Sequence, residues 1–149
     1  LWAEPGDVTD VPAFEAQLAR AAEALGPVDV MVNNVANDTR HKAEETTPEA
    51  WRAGLAVNLD PTFVASRAVY PAMKARGGGV ILNISSINAL LGPPDMVTYV
   101  AAKGAINAMT KSLAREWGPD NIRVNVISPG WIVTERQLKL WLTPEAEAI

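Results

Sequence analysis

The apolar residues change their repeat several times along the chain. Val28-Asp29-Val30-Met31-Val32 is a short run rich in β-branched residues that ends in Asn33-Asn34. Val80-Ile81-Leu82-Asn83-Ile84 is a second such run, preceded by Gly77-Gly78-Gly79 and followed by Ser85-Ser86. Ile122 to Ile127 is a third, stopped by Pro129-Gly130. Runs of this length between turn residues read as strands buried in a parallel sheet. Helical patterns separate them. Thr9 or Asp10 caps a helix from Val11 to Leu25, with Pro12 in its first turn and Gly26 at its end. Thr47-Pro48-Glu49 opens a long helix running towards Lys74 and Ala75. Tyr99 to Trp117 reads as a third helix, closed by Gly118-Pro119, and Thr143-Pro144-Glu145 starts a fourth.

Strand, helix, strand, helix, strand is the pattern of βαβ units, so the expected class is α/β with a parallel sheet. The triple glycine precedes a strand and reads as the tight turn into it. In open parallel sheets ligands bind outside the carboxyl ends of the strands. That rule points to Asn33-Asn34-Val35-Ala36, to Ser85-Ser86-Ile87-Asn88 and to Ser128-Pro129-Gly130-Trp131, all expected at one end of the sheet.

Composition narrows the field. A chain of 149 residues suits one domain, and 48% hydrophobic with 20% charged residues is ordinary for a globular protein. The absence of cysteine removes disulfide scaffolds, thiolate zinc sites and a cysteine nucleophile. A formal net charge of −4 argues against a general nucleic-acid surface. No apolar run approaches the roughly 18 residues of a membrane span. The chain begins at Leu1 without a signal-like segment, and the expected location is cytoplasmic.

Tyr99 and Lys103 lie four apart, on one face of the expected helix. A free tyrosine titrates near 10 and is a poor base at neutral pH, but a neighbouring ammonium favours the phenolate. The pair is therefore a candidate acid/base unit, and also a spacing that many packed helices contain. Ser86, at the carboxyl end of an expected strand, offers a hydroxyl to a substrate oxygen or caps the following turn. Asn58 sits inside the long expected helix, three residues before Pro61, where a kink with an exposed carbonyl is expected. His41, the single histidine, reads as a loop-packing residue beside the alternative of a catalytic base. Ala101, Ala102, Ala105, Ala108 and Met109 read as a packing stripe.

Asn58, Ser86, Tyr99 and Lys103 resemble the catalytic tetrad of the short-chain dehydrogenase/reductase family, with Ser86 thirteen positions before Tyr99. Asn33-Asn34-Val35-Ala36 resembles the family's Asn-Asn-Ala-Gly segment, with Val and Ala in its last two places. Asp7-Val8 resembles its Asp-Val pair near the adenine ring. Pro129-Gly130-Trp131-Ile132-Val133-Thr134 is similar to its Pro-Gly-x-Ile-x-Thr stretch beside the nicotinamide. The resemblance implies a partial doubly wound, Rossmann-like sheet with flanking helices. It implies Tyr99 as general acid/base and Lys103 as the group that lowers its pKa and binds the nicotinamide ribose. Ser86 then polarises the reacting oxygen, and Asn58 holds a water linking Lys103 to solvent. Asp7, Val8, Asn33, Asn34, Val35, Ala36, Tyr99, Lys103, Pro129, Gly130, Ile132 and Thr134 become the expected cofactor contacts. The implied cofactor is NAD, with NADP left open.

Asn37-Asp38-Thr39-Arg40-His41-Lys42 and the segment from Arg136-Gln137 to Glu145 resemble bacterial aldose 1-dehydrogenases, those for D-xylose among them. These oxidise the anomeric hydroxyl to a lactone. The expected substrate contacts are Asn37, Asp38, Ser86, Asn88, Trp131 and Gln137, with Trp141 a further residue near substrate. The resemblance also implies a homodimer or homotetramer built on the helices carrying Asn58 and Tyr99. The family's opening strand with its glycine-rich phosphate turn, its second strand and its C-terminal strand have no counterpart here. The expected domain is therefore a single incomplete Rossmann-like unit, 1–149. The alternative to an active dehydrogenase is a truncated homologue that serves as a dimeric structural or binding protein. A partial sheet would expose an edge and an apolar face, which favours association.

Overall fold

The structure, a computed structural model, describes residues 1–140. Its elements are helix α1 (Val11–Leu25), strand β1 (Val30–Asn33), helices α2 (Pro48–Asn58) and α3 (Asp60–Ala75) and strand β2 (Gly79–Ile84). Then follow the short helix α4 (Asn88–Leu91), the long helix α5 (Val97–Trp117), strand β3 (Ile122–Ile127) and the short helix α6 (Glu135–Leu140). Single 3-10 turns stand at Ala43–Glu45 and Gly118–Asp120. The helix expected from Thr143 and the position of Trp141 lie outside the described residues.

The three strands are parallel in the order β1-β2-β3. Each connection is a helical crossover stepping in the same direction, so crossovers of one hand place α3 and α5 on the same face. Register puts Met31, Ile81 and Val124 side by side, and Asn33, Asn83 and Val126 in the next row. The Met31 row meets Val69 and Met73 of α3 and Leu113 and Trp117 of α5 to form the core. Met73 and Ile81 are fully buried. Truncating either to Ala costs about 2–5 kcal/mol.

The expectation that these runs are buried on both faces holds for one face only. Val30 and Val32 are 56% and 52% exposed, and Ile127 is 48% exposed. Among the described residues no helix covers that face, and the unbroken apolar run carries no information about which of its faces is covered.

The long helix expected after Thr47 is two helices. Asn58 is the last residue of α2, not an interior one, and the chain breaks at Leu59 (φ −119°, ψ −55°) before α3 begins. Pro61 has no N–H for the carbonyl of Val57 and its ring crowds that carbonyl, so the helix restarts with Pro61 in a first turn, where proline is tolerated. Asp10 caps α1 through its side chain to the Ala13 N–H, and Thr47 caps α2 through the Ala50 N–H. At the turn into β2, Gly77 and Gly78 have φ of +82° and +151°. A Cβ on Gly78 would sit 2.7 Å from the Asn121 carbonyl oxygen, so the turn needs glycine there for space as well as for conformation.

Candidate active site

All strands point one way, so the segments following β1, β2 and β3 emerge at one end of the sheet. Backbone bonds from Ser85 N–H to Ile127 O (2.7 Å) and from Ile87 N–H to Pro129 O (3.0 Å) hold the last two together beyond the ladder. A cleft of about 190 Å³ opens there. Ser86, Asn88 and Tyr99 form one side, Gly130, Trp131, Ile132, Thr134 and Gln137 another, and Asp38 with Arg40 a third. Ile87 and Arg40 fall within segments the sequence marked, although neither was named as a site residue, whereas nothing in the local pattern marks Met96, which the path of its loop brings to the cleft.

Tyr99 lies in the first turn of α5, half-buried, and lines the cleft together with Ser86. Ser86 Oγ accepts the Asn88 N–H at 3.1 Å, which fixes its lone pairs and leaves its own proton to a partner in the cleft. Lys103, one turn along α5, is 2% exposed. Its Nζ donates to the Ile84 carbonyl at 2.7 Å and stands 5.7 Å from the centre of the Tyr99 ring.

The electrostatics depart from expectation. Burial pushes the Tyr99 phenol above its ordinary value; the neighbouring Ser86 hydroxyl pulls it down, and the Asp38 carboxylate pushes it up. The expected depression by Lys103 is not what this geometry gives, since the ammonium is directed at the Ile84 carbonyl. Lys103 itself is lowered to about 8 by burial. A buried amine at that value changes charge near neutral pH, which is a property of functional lysines.

Asn58 is buried, and both its polar atoms are engaged: Nδ2 donates to Gly54 O at 2.9 Å and Oδ1 accepts the Asn37 N–H at 2.8 Å. It therefore ties the loop after β1 to α2. Asn37 Oδ1 accepts from Thr39 N and Thr39 Oγ1 at 3.0 and 2.6 Å, so this oxygen braces the loop and Asn37 is not part of the cleft lining. Asn33 turns into the core, donating to Asn83 Oδ1 at 2.9 Å and Ser66 Oγ at 3.1 Å, while Asn83 donates to Thr110 Oγ1 at 2.9 Å. Asn34, Val35 and Ala36 are exposed beyond the end of β1. Thr134 Oγ1 accepts the Gln137 N–H at 3.2 Å at the start of α6. Gln137 Oε1 is buried without a hydrogen-bond partner. Asp7 and Val8 stand in the turn before α1, away from the cleft lining, where Asp7 accepts from Thr9 N and Thr9 Oγ1.

A nicotinamide nucleotide fits the residues at this end of the sheet. A buried cation, a phenol and a hydroxyl converge, and the strand ends bring Gly130, whose added Cβ would approach only Ile87 Cδ1, at 3.4 Å. The family model described as short chain dehydrogenase matches residues 1–144. The chain belongs to the short-chain dehydrogenase family. The protein named "Probable galactose dehydrogenase GalD" of Rhizobium meliloti (strain 1021) is 50% identical over 142 residues, covering 95% of this chain and 56% of that protein. The D-xylose 1-dehydrogenase of Caulobacter vibrioides is 48% identical over 139 residues, 93% of this chain and 55% of that protein. Among solved structures, a gluconate 5-dehydrogenase from Burkholderia cenocepacia J2315 in complex with NADP and tartrate superposes with a TM-score of 0.86 at 32% identity, over 95% of this chain and 55% of that one. The chain thus spans a little over half the length of the relatives it matches. No helix among the described residues is long and apolar enough to cross a membrane.

Proposed function

We propose that the whole protein oxidises a hydroxyl of a small polyhydroxylated substrate, an aldose at C1 to its lactone, with NAD as the hydride acceptor. The observation that carries this reading is that Tyr99 and Ser86 line one polar cleft, with the buried Lys103 one turn behind Tyr99. When bound, the nicotinamide ring supplies the acceptor for hydride. The chain's own residues supply the proton chemistry and the orientation. Tyr99, as phenolate, takes the proton of the reacting hydroxyl, and Ser86 donates to the same oxygen and holds it in place. Lys103, once its ammonium leaves the Ile84 carbonyl for the cleft, supplies the positive charge that favours the phenolate.

Asp38, Asn88 and the buried Gln137 Oε1 offer acceptors to further hydroxyls, and Trp131, 52% exposed, offers a flat apolar surface to a sugar ring. Around the nicotinamide we place Lys103, Asn34 to Ala36, Pro129, Gly130, Ile132 and Thr134, with Asp7 and Val8 towards the adenine. Asn58 keeps a second Oδ1 lone pair, through which it can hold a water on the Lys103 side. Phe63 on α3, 44% exposed, and the small residues Ala101, Ala105 and Ala108 on α5 support a homodimer or homotetramer through these helices.

The test is a substrate panel on the whole protein. Xylose, galactose and a simple secondary alcohol are each offered with NAD or NADP, and melting temperature is followed with either nucleotide alone. The reading predicts turnover of an aldose at least about tenfold faster in kcat/KM than of the simple alcohol, because unmet polar groups in a site penalise a substrate lacking the matching hydroxyls. No turnover and no melting shift with either nucleotide would leave the dimeric binding protein as the better reading.

A further inference from the structure

The single histidine has no part in the chemistry above, yet it is half-buried and bonded twice to the start of the helix that carries Tyr99. Its backbone N–H donates to the Asp95 carbonyl at 2.8 Å, and its ring Nε2 lies 3.2 Å from Thr98 Oγ1. Thr98 is 1% exposed and precedes Tyr99 directly. Its methyl packs on Gly54 so closely that a Cβ there would sit 2.3 Å from Thr98 Cγ2. Four residues upstream of His41, Asn37 is held by Asn58, which donates in turn to the Gly54 carbonyl.

Both ends of the segment from Asn37 to His41 therefore lead back to one point, Gly54 on α2. Within the segment Asn37 Oδ1 accepts the two Thr39 bonds and braces the turn. Between the two anchors stand Asp38 and Arg40, which the loop after β1 brings to the cleft. We propose that His41 is a positioning residue for substrate specificity: by fastening this arch to Thr98 it sets where Asp38 and Arg40 meet a polyhydroxylated substrate beside Tyr99. The kinetic part of this inference rests on the dehydrogenase reading; the structural part does not.

Three variants of the whole protein test it. His41→Ala and Thr98→Val remove the bond from opposite sides, and His41→Gln places an amide about where Nε2 stands. With cofactor saturating, the two disrupting variants are expected to raise KM for the aldose about five- to tenfold, the effect of one part-buried hydrogen bond. Their kcat stays within about twofold and the KM for the nucleotide is unchanged, and His41→Gln recovers most of the loss. The double variant His41→Ala/Thr98→Val adds little to either single one. A fall in kcat with KM unchanged, or a failure of His41→Gln to recover, overturns the proposal, since that is what a loss of folded protein gives. If the wild-type protein turns over no aldose, the functional reading fails, and amide hydrogen exchange of residues 38–40 then decides the positioning role. Faster exchange in His41→Ala and wild-type exchange in His41→Gln sustain it; no difference among the three overturns it.

Discussion

Lys103 shows how one side chain carries opposite demands. Its burial costs stability, and the sign of that cost with pH follows from its lowered value of about 8 against roughly 10.4 in an unfolded chain. Below about pH 8 both states hold the proton and the full penalty, of order 3 kcal/mol, is present. Between about 8 and 10.4 the unfolded chain holds more protons than the folded one, so stability rises with pH. Tyr99, whose phenol is raised, opposes this only above about 10, so the range from about pH 7 to 9.5 isolates the lysine. Lys103→Met loses the donor to Ile84 O, a net cost of about 1 kcal/mol. It is therefore expected to be about 2 kcal/mol more stable than wild type at pH 7 in urea unfolding, with the rise towards pH 9.5 abolished. Equal pH slopes in the two proteins contradict the assignment of a buried cation. The Tyr99, Ser86 and Lys103 positions were legible in the sequence because strand ends and a helical spacing of four fix their placement. The bond from Asn58 to Asn37 was not, because it depends on where a loop without periodicity crosses a helix, whereas His41 does pack its loop as the sequence suggested.

Elements were legible in proportion to the strength of their local signals. The caps at Asp10 and Thr47 and the β-branched runs place α1, the start of α2 and the three strands within a residue or two. The break at Leu59 is a consequence of Pro61, whose disturbance the sequence announced while its full separation of α2 from α3 came only with the structure. The helices Asn88–Leu91 and Glu135–Leu140 are too short to show a period, and both stand beside the cleft, so these two elements bordering it were not legible in the sequence. The glycine turn into β2 gives a test at this scale. Gly77 has φ +82° but open space around its missing Cβ, whereas Gly78 at φ +151° faces the Asn121 carbonyl. Gly77→Ala is expected to cost about 1–2 kcal/mol from backbone conformation alone. Gly78→Ala adds a steric clash and is expected to cost at least about 3 kcal/mol, with Asn121 displaced. Denaturant unfolding of the pair checks the order; equal costs contradict the account of this turn.

At the scale of the whole molecule, the three parallel strands, the helical layer on one face and the cleft at the carboxyl ends form one argument. Parallel strands demand helical crossovers, crossovers of one hand demand a common face, and the remaining sheet end gathers the three loops that build the cleft. The alternation of strand and helix was enough to read this in the sequence. What it could not give was cover: the runs through Val30, Val32 and Ile127 read as buried, and half of each side chain's surface is open among the described residues. Family membership adds the expectation of a nucleotide at the cleft, and the relatives named for galactose and D-xylose add the expectation of a sugar. The central claim is that Tyr99 is the group that takes the proton. The most direct measurement is the rate of nicotinamide reduction by the whole protein and its Tyr99→Phe variant, with the aldose and nucleotide both saturating. The account predicts a loss in kcat of at least about 10²-fold in the variant, with the nucleotide still bound. A variant that reduces nicotinamide at the wild-type rate would contradict it.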